Sequence, residues 1–186
     1  MILFINACVR RQSRTKQLAE YVLKKLGKDI KEIVLEKENI LPLNGKALEH
    51  RSKLAACGNF NDKIFDLAKD FAAAEKIVIA APYWDLSFPA LLKCYIEQIN
   101  VIGLTFAYDS TGKPYGLCKA NDLIYITTSG GKILNEDAGF GYLKLLAYNF
   151  YGIKNVSCIK AENLDLTGAD VKTILEKAKQ EIDKNF

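Results

Sequence analysis

Ile2-Leu3-Phe4-Ile5-Asn6, and after a short gap Ser13-Arg14-Thr15-Lys16-Gln17-Leu18-Ala19-Glu20-Tyr21-Val22-Leu23-Lys24-Lys25-Leu26-Gly27, form the stretch on which the fold turns. The first five residues are an apolar run rich in strand formers, which predicts a buried strand. The second segment has helical spacing. Leu18, Ala19, Val22, Leu23 and Leu26 share one face, and Lys16, Glu20, Lys24 and Lys25 the other. Gly27 stops it, as glycine commonly does just past a helix end.

The same alternation runs through the rest of the chain. Strands are predicted at 31–35, 76–81, 121–128 and 154–160, and helices at 62–74, from Pro89 to about residue 102, at 139–151 and at 169–183. Pro89 suits a first helical turn, where its missing N–H costs nothing. Pro42, Gly45 and Gly58 interrupt 37–60, which reads as a loop with a weak helix over 46–56. Five strands separated by helices imply a doubly wound parallel sheet, joined by right-handed crossovers and covered by helices on both faces. In such α/β folds ligands bind where strands end, at the topological switch point. Function is therefore expected after Asn6, after Ala81 and after Thr128.

The bulk properties agree with one ordinary globular domain over 1–186. Of the 186 residues 49% are hydrophobic and 26% charged, and this length supports a substantial core without splitting. The net charge of +4 comes from lysines spread along helices, with no basic block to follow a nucleic-acid backbone. Cys8, Cys57, Cys94, Cys118 and Cys158 are odd in number and form no CxxC pair, so neither a zinc site nor a disulfide framework is expected. Four of them sit in apolar surroundings, where a thiol behaves as a small hydrophobe. Cys8 enters a loop and is either a small residue at a strand end or a low-pKa thiol. With no apolar run of spanning length and no signal-peptide core, no membrane and a reducing cytoplasm are the expectation.

Each of the three junctions is chemically unusual. Asn6-Ala7-Cys8-Val9-Arg10-Arg11-Gln12-Ser13-Arg14-Thr15 puts three arginines and two hydroxyls at a helix start, where free N–H groups and a partial positive charge favour an anion such as phosphate. GxGxxG and GxxxxGK[ST] are both absent. The alternative is that Ser13 only caps the helix and the arginines are solvated. Pro82-Tyr83-Trp84-Asp85-Leu86-Ser87-Phe88-Pro89 carries the only tryptophan, next to a tyrosine, on a loop. Such aromatics either pack on a flat ligand or plug the top of the core. Thr128-Ser129-Gly130-Gly131 ends a strand in hydroxyls and glycines, which permit close backbone approach to a ligand or a tight turn.

Together the junctions resemble those of the flavodoxin-like NAD(P)H-dependent quinone reductases and azoreductases that bind FMN, over nearly the whole chain. Ser13-Arg14-Thr15-Lys16-Gln17-Leu18-Ala19 looks like that family's phosphate loop. Pro82-Tyr83-Trp84-Asp85-Leu86 resembles its loop along the flavin ring, Gly103-Leu104-Thr105-Phe106 with Gly116-Leu117 its hairpin, here at about 103–118, and Thr128-Ser129-Gly130-Gly131 its second ring loop. The resemblance implies that Ser13, Arg14 and Thr15 hold the phosphate, that Pro82, Tyr83, Trp84, Asp85 and Leu86 border the ring, and that Thr128, Ser129, Gly130 and Gly131 lie at its far edge. Alanine at both Ser13 and Thr15 is then expected to weaken FMN retention with the fold intact. Two positions depart from the family pattern. Asp85 stands where the family often has asparagine, and Ile133-Leu134 where a histidine often follows the glycine pair. His50, the only histidine, falls in the irregular segment and is expected at the surface.

The activity implied is an FMN oxidoreductase that takes a hydride from NADH or NADPH and reduces a small-molecule electron acceptor such as a quinone or azo compound. The cofactor carries the hard chemistry, which fits the lack of a Ser-His-Asp or metal cluster. The resemblance also implies a homodimer, with the aromatic stretch 140–151 and the hairpin as its surface. The rival is a flavodoxin-type electron carrier, against which the positive charge counts, since such carriers are usually strongly acidic.

Overall fold

The computed structural model describes residues 1–186. Five strands, β1 (Ile2–Asn6), β2 (Ile30–Val34), β3 (Lys76–Ala80), β6 (Asp122–Thr128) and β7 (Asn155–Ala161), form one parallel sheet in the order β2-β1-β3-β6-β7. The two short strands between them in sequence, β4 (Phe106–Tyr108) and β5 (Pro114–Gly116), make a separate antiparallel hairpin.

The period of two along each strand splits the core between the two faces. Leu3, Ile5, Ile77, Ile79, Leu123 and Tyr125 point to one side, onto α3 (Asp66–Ala73) and α4 (Ala90–Ile99). Phe4, Val78, Ala80, Ile124 and Ile126 point to the other, where α1 (Arg14–Leu26) and α6 (Val171–Asn185) bring Leu18, Val22, Ala178 and Ile182. Because both faces are covered, the central strands read as continuous apolar runs.

Several helices differ from their sequence pattern for local reasons. The segment expected as one helix over 139–151 holds a single α-helical piece, α5 (Tyr142–Leu146), between wide π turns at Asp137–Gly141 and Ala147–Tyr151. Gly139 and Gly141 weaken the first half, and Gly152 ends the second in a left-handed conformation. The helix after Pro89 stops at Ile99 because Thr105 captures its end. The Thr105 hydroxyl donates to the Ile99 carbonyl at 2.7 Å and accepts from the Val101 N–H at 3.1 Å. The helix expected at 62–74 starts as a 3₁₀ turn, Lys63–Phe65, capped by Asp62. The weak helix is α2 (Gly45–Ala56), capped by Asn44, and it buries none of its residues. Cys57, just beyond it, is exposed rather than apolar in setting.

The hairpin leans on the second π turn. Phe106 stacks on Phe150 with centroids 4.3 Å apart, and Gly116 lies against the backbone of Tyr151 and Gly152. No helix is long and apolar enough to cross a membrane, and no cluster of three or more metal-ligating side chains is present.

Candidate functional site

Since β1, β3 and β6 are neighbours in the sheet, the loops that leave their carboxyl ends converge. Between them lies a cavity of about 300 Å³, lined by the Cys8–Thr15 region, by Pro82, Tyr83 and Trp84, and by Thr128, Ser129, Gly130 and Asp165. Two hydrogen bonds knit the loops together. The Thr15 and Thr128 hydroxyls share one at 2.7 Å, and the Tyr83 N–H donates to the Thr128 carbonyl at 3.0 Å.

One end of the cavity is a row of unspent donors. The Cys8 N–H is taken by the Asn6 side chain at 3.0 Å, and the Lys16 N–H by the Ser13 hydroxyl at 3.2 Å. None of the backbone N–H groups from Val9 to Thr15 between them finds an acceptor in the protein. The first turn of α1 carries no acidic residue, so its positive end is uncompensated from within the helix. Ser13 is both a cap and a potential ligand donor: capping uses a lone pair and does not consume the O–H, which is also within reach of the Cys8 sulfur. Thr15 differs, being fully buried with its hydroxyl committed to Thr128.

Arg10 lines the cavity and Arg11 does not. Arg14 lines it as well, but its guanidinium is already engaged, donating to the Leu164 carbonyl at 3.1 Å and to the Asp165 carboxylate at 2.7 Å. Cys8 is a small buried residue. Its thiol lies 3.7 Å from the Ala80 carbonyl, and burial pushes its pKa up, as expected of a small residue at a strand end.

The other end is aromatic. Tyr83 and Trp84 form the wall, with Trp84 36% exposed. Reciprocal backbone bonds between Trp84 and Ser87, at 3.1 and 2.8 Å, close a tight turn whose two central residues, Asp85 and Leu86, have φ of 49° and 65°. Both central residues at positive φ is the pattern of a type I′ turn, which ordinarily takes Asn-Gly. The turn carries Asp85 and Leu86 out of the cavity lining, and Gly131 also lies outside it. Phe88 is the residue that plugs the core top, half-buried and 6.0 Å from the Tyr142 ring. His50 is exposed, 3.3 Å from Asp62 and on a different part of the surface.

Asp165 is the lining residue the sequence pattern passes over. It follows β7, an edge strand, whereas the switch-point rule directs attention to the central strands. The residues after β7 dock on the third junction through three backbone bonds, Asn163 to Gly131, Leu164 to Ser129 and Asp165 to Gly130, at 3.1, 3.2 and 2.8 Å. The carboxylate then lies so close over Gly130 that a Cβ there would overlap it.

The family model described as having a flavodoxin-like fold matches residues 1–186. The chain is 35% identical to an FMN-dependent NADH:quinone oxidoreductase of Clostridium perfringens, over 98% of this chain and 94% of that protein. A second relative of the same description, from Clostridium acetobutylicum, is 36% identical over 97% and 96%. Among solved structures, an azoreductase from Bacillus anthracis superposes with a TM-score of 0.82 at 22% identity, covering 99% of this chain and 97% of the other. An FMN-dependent NADH-azoreductase of that species, solved with FMN, gives 0.77 at 22% over 99% and 96%.

Proposed function

The chain belongs to the flavodoxin-like-fold family, and we propose that it is an FMN-dependent oxidoreductase of the NADH:quinone type, built around the cavity at the ends of β1, β3 and β6. The observation that carries this reading is the run of unpaired N–H groups from Val9 to Thr15. A loop with so many unspent donors beside Arg10 fits a phosphate dianion, which can accept from several of them at once. Bound there, FMN supplies two-electron chemistry between a reduced nicotinamide and a quinone or azo acceptor.

The protein's own residues bind and orient. Ser13 would donate a hydrogen bond from its O–H to the phosphate, beside the backbone N–H groups of Arg14 and Thr15. Pro82, Tyr83 and Trp84 wall one side of the ring, and Thr128, Ser129 and Gly130 approach its edge. Asp85 and Leu86 stand in the turn next to that wall, outside the cavity lining, where they would face whatever docks on the ring. The shared hydroxyl bond of Thr15 and Thr128 holds the phosphate loop and the ring loop at fixed spacing. The five free cysteines suit a reducing cytoplasm. The working form is a homodimer, supported by exposed Tyr108, Tyr115, Leu117, Leu145 and Tyr148 on the hairpin and the segment it leans on.

Purified protein incubated with FMN and desalted is expected to keep the flavin's visible absorption, lose it when NADH is added without oxygen, and recover it on addition of a quinone. A protein that takes up no FMN overturns the reading. One that holds FMN but is bleached by neither NADH nor NADPH is an electron carrier instead.

A further inference from the structure

Asp165 is the only carboxylate in the cavity lining, in a pocket that otherwise offers donors and positive charge. Its position is defined from two sides. Oδ1 accepts from the Arg14 guanidinium, at the phosphate end, and Oδ2 packs on Gly130, at the ring end. The segment beneath it is fixed by the three backbone bonds to 129–131 and by Leu164, which is buried among the residues of the α1 and α6 face. The side chain is thus held between the two ends of the cavity, and Oδ2 has no hydrogen-bond partner in the protein.

A carboxylate there cannot bind the phosphate directly. It only accepts hydrogen bonds, and a phosphate ester offers it negative charge and no proton. What lies between the phosphate and the ring of FMN is a chain of hydroxyl groups, each a donor. We propose that Asp165 is a specificity-determining residue that accepts a hydrogen bond from the polyhydroxyl chain of the flavin, so that the cavity reads three chemical groups in order: anion, polyol and aromatic ring. The assignment rests on the FMN reading above. It also explains Gly130, since any larger residue would push the carboxylate off the chain.

The test compares three probes, FMN, riboflavin and lumiflavin, on wild type, Asp165→Ala and Asp165→Asn, with affinity read from quenching of flavin fluorescence. Riboflavin lacks the phosphate, and lumiflavin lacks both phosphate and polyol. Loss of a hydrogen bond to a charged group is expected to weaken FMN and riboflavin alike by about 10-fold or more, with lumiflavin changed by less than about twofold. Asp165→Asn keeps the size and a carbonyl acceptor, so it is expected to fall between wild type and Asp165→Ala for the two polyol flavins. The side chain is 60% exposed, and both variants are expected to fold, which circular dichroism checks. A loss confined to FMN would overturn the proposal, because Asp165 would then only position Arg14 for the phosphate. Unchanged or tighter FMN binding would overturn it as well. A wild type that binds none of the three probes removes the FMN reading itself, and that result is visible without either variant.

Discussion

At the scale of single residues, Ser13 and Thr15 show how much a hydroxyl's partner matters. The sequence places both at a phosphate loop and treats them alike. In the structure the Ser13 side chain caps α1, and the Thr15 hydroxyl is buried against Thr128. Alanine at 13 therefore costs about 1 kcal/mol of stability through the lost cap. Alanine at 15 costs about 1–3 kcal/mol, because it leaves the Thr128 hydroxyl without its partner. The double alanine variant is therefore expected to lose stability as well as FMN affinity. Glycine is tolerated at an N-cap with a loss of only a few tenths of a kcal/mol. Ser13→Gly is thus expected to weaken FMN binding several-fold while leaving the urea midpoint almost unchanged, and Thr15→Ala to lower the midpoint clearly. Their place at the cavity was legible because hydroxyls and arginines gather at a helix start, although the same pattern also serves a plain N-cap, which Ser13 is. Asp165 was not legible, since nothing local distinguishes a carboxylate in a loop from a solvated one. Asp85 and Leu86 stand outside the cavity lining for a reason the sequence does not display: a left-handed turn without glycine carries them away from it.

At the scale of elements, boundaries depend on contacts that the sequence cannot display. The five parallel strands were legible because β1, β3 and β6 are apolar runs and the edge strands β2 and β7 mix β-branched with polar residues, with helical spacing in between. The end of α4 was not, because it is decided by Thr105, six residues past the last helical turn. The π turns around α5 are also invisible to a period-3.6 pattern, although glycines at 139, 141 and 152 mark where the ladder loosens. The hairpin depends on Gly116. A Cβ at that position would meet Tyr151 C and O and Gly152 N, all backbone atoms that cannot rotate aside. Gly116→Ala is expected to destabilise the protein by about 1–3 kcal/mol, as overpacking does, by prising the hairpin off the second π turn. Gly131→Ala, where a Cβ meets nothing within 4 Å and φ is not positive, should stay within about 0.5 kcal/mol of wild type. Equal urea midpoints for the two variants would show that the hairpin does not need this close approach.

At the scale of the whole molecule, the sheet and its two helix layers follow from alternation alone, while the association surface depends on what folding leaves uncovered. Of the five aromatic residues of 140–151, Tyr148 alone is exposed. Phe150 and Tyr151 turn inward, stacking on Phe106 and packing on Phe71, with centroids 4.3 and 4.7 Å apart. Leu145 and Tyr148 remain outside at 64% and 47% exposure, and the adjoining hairpin adds Tyr108, Tyr115 and Leu117. A stable homodimer buries roughly 800 Å² on each partner around an apolar centre, and a patch led by tyrosine and leucine suits that role. Analytical ultracentrifugation at micromolar concentration is therefore expected to show a species of twice the 20.8 kDa chain mass. Leu145→Asp and Tyr148→Asp replace exposed side chains, so neither should perturb the core, yet a charge buried without a partner at an interface costs several kcal/mol. Each should shift the protein towards monomer at the same concentration and keep its far-ultraviolet circular dichroism. A monomeric wild type would remove the dimer, and a dimer unaffected by either charge would move its interface away from this face, leaving these side chains free to meet the electron acceptor or solvent instead.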